Sequence, residues 1–133
     1  MTRFRVSQRT AALSMLALLL AAGCATPPYE GKYSFSEGWR RGTVLEVVNG
    51  ARLKDPKSLD CGRNKTAAQI QATEYVVVSY RWSSDRARWT VPQPAGMQFR
   101  AGDRVYVNLA ACESAVAPQA IPPGQAAQGR IFR

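Results

Sequence analysis

The side chains that could take part in chemistry are three cysteines, nine acids and 18 lysines and arginines. The 133-residue sequence contains no histidine. Without histidine, the usual Ser–His and Cys–His nucleophile pairs are excluded. Asp85, Asp103 and Glu113 lie in contexts typical of turns or surfaces, and Glu46 interrupts an apolar strand, where the outward position of an edge strand explains it. The sequence therefore predicts no catalytic residue, no cofactor and no enzymatic activity.

Cys24 stands directly after a segment with the character of an export signal. Residues 1–10 carry three arginines and no acid, and residues 11–22 are almost entirely apolar. A charged start, a short apolar run and small residues before a cut are typical of a secretory signal peptide. A membrane-spanning helix needs about 20 apolar residues, so this run is too short to remain as an anchor. Residues 1–23 are therefore predicted to be a removable signal peptide.

The residues around the predicted cut, Ala21, Ala22, Gly23 and Cys24, resemble the lipobox of bacterial lipoproteins, although leucine is more usual than alanine at the first of these positions. The resemblance implies that Cys24 becomes an acylated first residue that holds the protein on a membrane by palmitate-type chains. Ala25 lacks the aspartate of an inner-membrane retention signal, which implies an outer-membrane, periplasm-facing location in a two-membrane bacterium. The alternative is an ordinary cleaved signal followed by an incidental cysteine.

Cys61 and Cys112 remain as an even pair once Cys24 is assigned to lipid. Exported proteins work in an oxidising compartment, so a disulfide between these two residues is predicted. Closing a loop of this length stabilises the fold by about 4 kcal/mol on the chain-entropy relation. The alternative, a thiol or metal site, would lack both histidine and a Cys-x-x-Cys spacing, so no metal site is predicted.

The composition divides the remaining chain into three parts. Residues 24–37 mix proline, glycine, serine and aromatics without apolar periodicity and predict a flexible tether. Residues 117–133 contain three prolines and two glycines and predict a disordered tail. One small domain is therefore expected over residues 38–116. Three of the 18 basic residues and none of the 9 acids lie in the predicted signal peptide, which leaves the rest of the chain with a net charge of +6.

Runs of β-branched and aromatic residues predict a mainly β domain, a small disulfide-stapled five-stranded barrel of the SH3 or OB type. The predicted strands are Gly42–Asn49, Thr73–Trp82, Ala87–Gln93, Met97–Phe99 and Asp103–Leu109. The long loop after the first strand is predicted to hold a helical turn at Thr66–Gln71.

Alternation along Thr73–Trp82 assigns its side chains to two faces. One face is predicted to enter the core and the other to be partly wet. The first face carries Val76, Val78, Tyr80 and Trp82, and the second carries Tyr75, Val77, Ser79 and Arg81.

The run Tyr75–Val107 resembles the C-terminal β domain of SlyB-type outer-membrane lipoproteins. The positions that carry this resemblance are Val91, Gln93, Phe99, Gly102, Val105 and Val107. The glycine-zipper segment that those proteins carry before the β domain is missing, and the Cys61 and Cys112 pair is not part of their pattern. The resemblance therefore implies a small β domain in an envelope lipoprotein and no membrane-embedded zipper.

Arginines and tryptophans interleave around the predicted second turn. The candidate surface consists of Arg81, Trp82, Arg86, Arg88 and Trp89. In a cytosolic protein this pattern would suggest nucleic acid, but the export signal excludes nucleic acid as a partner. Anionic lipid, lipopolysaccharide or an acidic envelope protein remain as expected partners. The alternative is scattered solubilising charge, with the two tryptophans as a cross-strand pair.

These observations together predict a non-enzymatic, lipid-anchored envelope protein that faces the periplasm and supports outer-membrane integrity or assembly by binding. Two alternatives come from other functional classes. One is a periplasmic inhibitor of a wall-degrading enzyme such as lysozyme, and the other is an accessory lipoprotein of a secretion or pilus machine.

Overall fold

The fold is built around one valine-rich strand, β2 (Glu74–Trp82), in which residues 75–80 are all buried. β-Branched and aromatic side chains favour extended backbone and pack well on a pleated surface. In the computed structural model, which describes residues 26–56 and 59–120, β2 pairs with a strand on each side. The predicted signal peptide, Cys24 and the tail beyond residue 120 lie outside the described residues.

Five antiparallel strands form a single sheet with the order β3-β2-β1-β4-β5. The other four strands are β1 (Trp39–Asn49), β3 (Asp85–Pro92), β4 (Arg104–Asn108) and β5 (Val116–Pro118). Between β1 and β2, the described residues include a helix, α1 (Ala67–Gln71), and 3-10 turns at Gly50–Arg52 and Asp60–Gly62. The prediction of a mainly β domain with five short strands is confirmed.

The main hydrophobic core lies on one face of this sheet. Strand pairing aligns Val76 with Val91 and Val78 with Val44, so these side chains stack across three strands. The buried members of the core are Val44, Cys61, Val76, Val78, Tyr80, Val91, Phe99, Val105, Val107, Ala115 and Val116. The predicted inward face of β2 is therefore confirmed for its valines and Tyr80, whereas Trp82 at the strand end is 56% exposed.

A smaller core lies on the other face, at one end of the sheet, where the loop after β1 covers Tyr75 with Leu59 and Ile70. The loop is folded by α1, whose Thr66 hydroxyl and Gln69 side chain form a reciprocal capping box. The predicted helical turn is thereby confirmed. Gly50 closes the loop where a Cβ atom would collide with the carbonyl oxygen of Ile70, so no larger residue fits there.

The Cys61–Cys112 disulfide ties this loop to the segment after β4. The two Cα atoms lie 5.3 Å apart, within the ordinary range for a disulfide. Cys61 is buried in the main core, whereas Cys112 is exposed. The prediction of this pairing is confirmed, and the bond fixes a long loop that has little regular structure.

The fifth strand differs from its prediction. Met97–Phe99 forms no strand, because Pro94 and a turn at Gly96 divert the chain, and only Phe99 enters the core. Val116–Pro118 pairs with β4 instead. Residues 117 and 118, which composition assigns to the tail, are thus part of the sheet.

The sheet is open, which corrects the expectation of a closed barrel. The edge strands β3 and β5 do not pair with each other within the described residues. No helix within the described residues is long and apolar enough to cross a membrane.

Replacing Cys112 by alanine should lower the free energy of unfolding by about 4 kcal/mol, the loop-closure value for a separation of 51 residues. Because Cys112 is exposed, its replacement removes the bond without opening a cavity. Urea denaturation of the full chain measures this loss. The Cys61→Ala and Cys112→Ala double variant is the control, since any additional loss reports the packing of Cys61 alone. An unchanged midpoint in the single variant would contradict the stapling role.

Candidate functional site

The acidic side chains do not converge on a catalytic arrangement. Asp85 begins β3, Glu113 is exposed, and Asp103 accepts a hydrogen bond from the backbone N–H of Arg100 at 2.8 Å. Glu46 is exposed just after a β-bulge, on a strand that lies inside the sheet rather than at its edge. Within residues 26–56 and 59–120, no three His, Cys, Asp or Glu side chains are grouped to hold a metal ion.

The strand register collects arginines on the sheet face opposite the main core. Arg81 lies directly opposite Arg86, and Arg88 lies directly opposite Ser79. Because successive side chains alternate between faces, these three arginines share one face. Thr43 of β1 is paired with both Ser79 and Arg104, which brings Arg104 to the same face.

Arg41 extends this set, since it lies two residues before Thr43 on the same strand. The register that pairs Gly42 with Tyr80 aligns Arg41 with the row formed by Arg81 and Arg86. We call the set Arg41, Arg81, Arg86, Arg88 and Arg104 the arginine face. Its members span four adjacent strands, at an interstrand spacing of about 4.8 Å.

The two tryptophans of the predicted surface lie on the other face. Trp89 is paired with Val78 and packs half-buried against the main core, and Trp82 is paired with Asp85. Trp82 contacts Tyr80 edge to face, with ring centroids 6.5 Å apart. The tryptophans are therefore neither interleaved with the arginines nor a cross-strand pair. The alternation of β2 contains the signal for this separation, because it assigns Arg81 and Trp82 to opposite faces.

Arginines outnumber carboxylates among the described strand residues of this face, although Glu30 lines a groove with Arg41 and Arg104. An ion pair joins Arg63 to Asp60 at 2.9 Å, and Asp60 lines a groove together with Glu46 and Arg88. Glu46, paired with Val77, is the single acid among the described strand residues that share the face. Arg81 and Arg86 oppose each other directly, an arrangement that destabilises a sheet. The face is therefore suited to bind a polyanion, which would relieve this repulsion.

Aromatic rings fix the start of the described chain beside the arginine face. Tyr29 and Tyr33 both stack on Tyr106, with centroid distances of 5.3 and 4.7 Å, and Tyr33 meets Trp39 edge to face at 4.8 Å. The guanidinium of Arg41 lies 4.8 Å from the Tyr29 ring centroid. We call Tyr29, Tyr33, Trp39 and Tyr106 the aromatic clip. Tyr29 and Tyr33 are thus packed against the sheet, whereas the sequence predicts a free tether as far as residue 37.

The clip also brings the two ends of the described chain together. The Glu30 carboxylate accepts a hydrogen bond from the backbone N–H of Ala120 at 3.0 Å. A groove of about 640 Å³ between these ends is lined by Glu30, Arg41, Arg104 and Tyr106, among others. Burial, followed by the charge of Glu30, raises the pKa of Tyr106 above its usual value of 10.0. The arginine face is therefore adjacent to the point where the chain leaves the sheet toward Cys24.

Sequence patterns locate only part of this site. Arg81, Arg86 and Arg88 share one face because they lie in one hairpin, and the sequence already groups them. The sequence does not indicate that Arg104 belongs to this face, because its position depends on the pairing of β1 with β4 across more than 50 residues. Tyr29 and Tyr33 can be noticed in the sequence as two aromatic residues four positions apart. Their partner Tyr106 lies more than 70 residues further along the chain, so the stacking itself has no local signal.

Comparisons with protein-family models, with curated proteins and with solved structures reveal no match to this chain. The resemblances to the lipobox and to the SlyB-type β domain therefore remain predictions from the residues that carry them.

Replacing Arg81 by threonine should raise the free energy of unfolding by about 0.5 kcal/mol, because it removes a like charge directly opposite Arg86. Urea denaturation at low salt measures the gain, which should shrink at high salt as the repulsion is screened. Arg88→Thr is the matched control, since it makes the same change on the same face opposite Ser79 rather than opposite an arginine. Equal effects of the two substitutions would show that the charge pair is not strained.

Replacing Tyr106 by phenylalanine should remove a phenol that ionises above the usual pKa of 10.0. At pH values below the usual tyrosine pKa, the phenol is protonated in both the folded and the unfolded state, and its contribution to the free energy of unfolding is complete. As the pH rises above the usual pKa, the phenol ionises first in the unfolded state, so this contribution is lost until the pH reaches the pKa of the folded state. The difference between the ultraviolet absorbance titrations of the parent and the variant measures this ionisation. A difference curve centred at or below the usual value would contradict the buried, Glu30-facing position.

Proposed function

We propose that this chain is a non-enzymatic lipoprotein of the bacterial outer membrane, anchored through Cys24, facing the periplasm and binding an anionic envelope component. In this role it supports outer-membrane integrity or assembly. The proposal combines the export signal and lipobox-like residues with a disulfide-stapled domain whose most distinctive surface is the arginine face.

The observation that carries the anchor is the pairing of the cysteines. Cys61 and Cys112 are joined to each other, so Cys24 is the odd cysteine of the three. It follows small residues at the end of a signal-like segment, where a free thiol accepts a lipid. Two or more acyl chains give stable membrane attachment, because each buried CH₂ contributes about 0.8 kcal/mol. Position 25 is alanine rather than the aspartate of an inner-membrane retention signal, which supports the outer membrane as the destination in a two-membrane host.

Binding rather than chemistry is supported by the charge arrangement. Arginines in direct opposition, as Arg81 and Arg86 are, lower the stability of the free protein, and such a cost is characteristic of functional surfaces. Anionic lipid, lipopolysaccharide and acidic envelope proteins all present the opposite charge. An inhibitor of lysozyme is less well supported, because lysozymes are generally basic and would be repelled by this face.

Intact mass of the protein extracted from membranes tests the anchor. We expect a chain that begins at Cys24, carries acyl mass, and is two hydrogens lighter than the fully reduced form. Cys24→Ala should abolish the acyl mass and shift the protein out of the membrane fraction. Its disulfide should persist, which shows that the variant is folded and that its release reflects loss of lipid alone.

An unacylated mature protein in the soluble fraction would contradict the proposed anchor. A lysozyme activity assay with the purified protein separates the inhibitor alternative, for which we expect no inhibition. Co-purification of a fixed protein assembly in mild detergent would instead favour an accessory subunit of an envelope machine.

A further inference from the structure

The aromatic clip makes the distance between Cys24 and the folded domain very short. Only four residues separate Cys24 from Tyr29, whose ring is stacked on Tyr106. Fully extended, this linker spans at most about 18 Å. A tether that remained unpacked as far as residue 38 would reach about 50 Å. The clip thus removes most of the reach that the sequence alone would allow.

The short linker begins on the same side of the sheet as the arginine face. Tyr106 is paired with Arg41, and Arg41 lies over the Tyr29 ring. The row formed by Arg41, Arg81 and Arg86 runs from this point toward the far edge of the sheet. Neighbouring strands are about 4.8 Å apart, so the backbones of Arg81 and Arg86 lie only about 5 and 10 Å from that of Arg41.

We propose that the clip holds the arginine face against anionic phospholipid headgroups of the membrane in which Cys24 is embedded. This inference rests on the proposed anchor. The clip therefore sets both the distance and the orientation of the domain. Arg41, Arg81, Arg86, Arg88 and Arg104 are the contacting residues. The surface is a membrane-apposed face, and the opposite face, with Trp82 exposed, is turned toward the periplasm.

Charge and distance together select the membrane as the occupant. Attraction to a charged surface falls off over a Debye length of about 8 Å at physiological salt. The short linker can hold the domain within this distance of the headgroups, whereas a long tether would not keep it there. The lipid anchor also keeps the headgroups at high effective concentration. A second attachment of this kind is typical of proteins that combine an acyl chain with a basic patch.

Arginine footprinting tests this arrangement on the acylated full-length protein. The protein is reconstituted into vesicles of phosphatidylcholine alone, or of phosphatidylcholine with phosphatidylglycerol, and treated with phenylglyoxal. Mass spectrometry then gives the modification rate of each arginine. We expect the five arginines of the face to react several-fold more slowly in the anionic vesicles. Arg40, whose side chain lies on the opposite sheet face because it pairs with Val107 of the main core, should react equally in both.

Two variants separate the clip from charge alone. Tyr29→Ala with Tyr33→Ala should abolish the protection, whereas Tyr29→Phe, which keeps the stacked ring, should preserve it. An insertion of Gly and Ser residues between Ala25 and Thr26 lengthens the linker without changing the folded domain. An insert of roughly 12 residues adds about 20 Å of average reach, so it too should abolish the protection.

Three results would overturn the proposal, in distinguishable ways. Acylated protein that floats with both kinds of vesicle but gives identical footprints would contradict the membrane-apposed face while leaving the anchor intact. Protection that survives both the clip variant and the insertion would show that the linker does not orient the domain. Protein that carries no acyl mass and fails to float would overturn the anchor and the orientation together.

Discussion

The alternation of side chains along β2 is the constraint on which the rest of the structure depends. A shift of its register by one residue would exchange every side chain between the two faces. With the observed register, Val76 and Val78 enter the main core, while Arg81 stands on the opposite face beside Arg86. The same pairing that builds the core therefore also builds the arginine face. Substitutions that loosen the core would be expected to disperse the arginines as well.

The two faces of the sheet are stabilised in different ways. The core face is closed by apolar packing and by the disulfide, which holds a loop with little regular structure against the end of the sheet. The arginine face retains like charges in direct opposition, which opposes folding unless an anion is present. Proteins retain unfavourable local interactions, such as repulsion between neighbouring arginines, chiefly at functional sites. The aromatic clip, which packs against this face, then connects the position of the charges to the position of the proposed anchor.

Local patterns in the sequence predict the parts of the fold that depend on neighbouring residues. The β2–β3 hairpin, the capped turn at Thr66 and the disulfide all follow from adjacent residue types or from a count of cysteines. The β5 strand does not, because three residues carry too little pattern and their partner is found only in the folded sheet. Met97–Phe99 has strand-like composition but is diverted by its preceding proline and glycine. The clip and Arg104 likewise require the β1–β4 pairing, which no local signal specifies.

The proposed orientation places the domain directly on the membrane with its arginine face inward. Neutron reflectometry of the acylated protein on a supported bilayer that contains phosphatidylglycerol measures the gap between headgroups and protein. We expect a dense protein layer that begins within the linker reach of about 18 Å and approaches the headgroups. A hydrated gap that exceeds this reach, with the protein layer beyond it, would show that the domain is not held against the membrane.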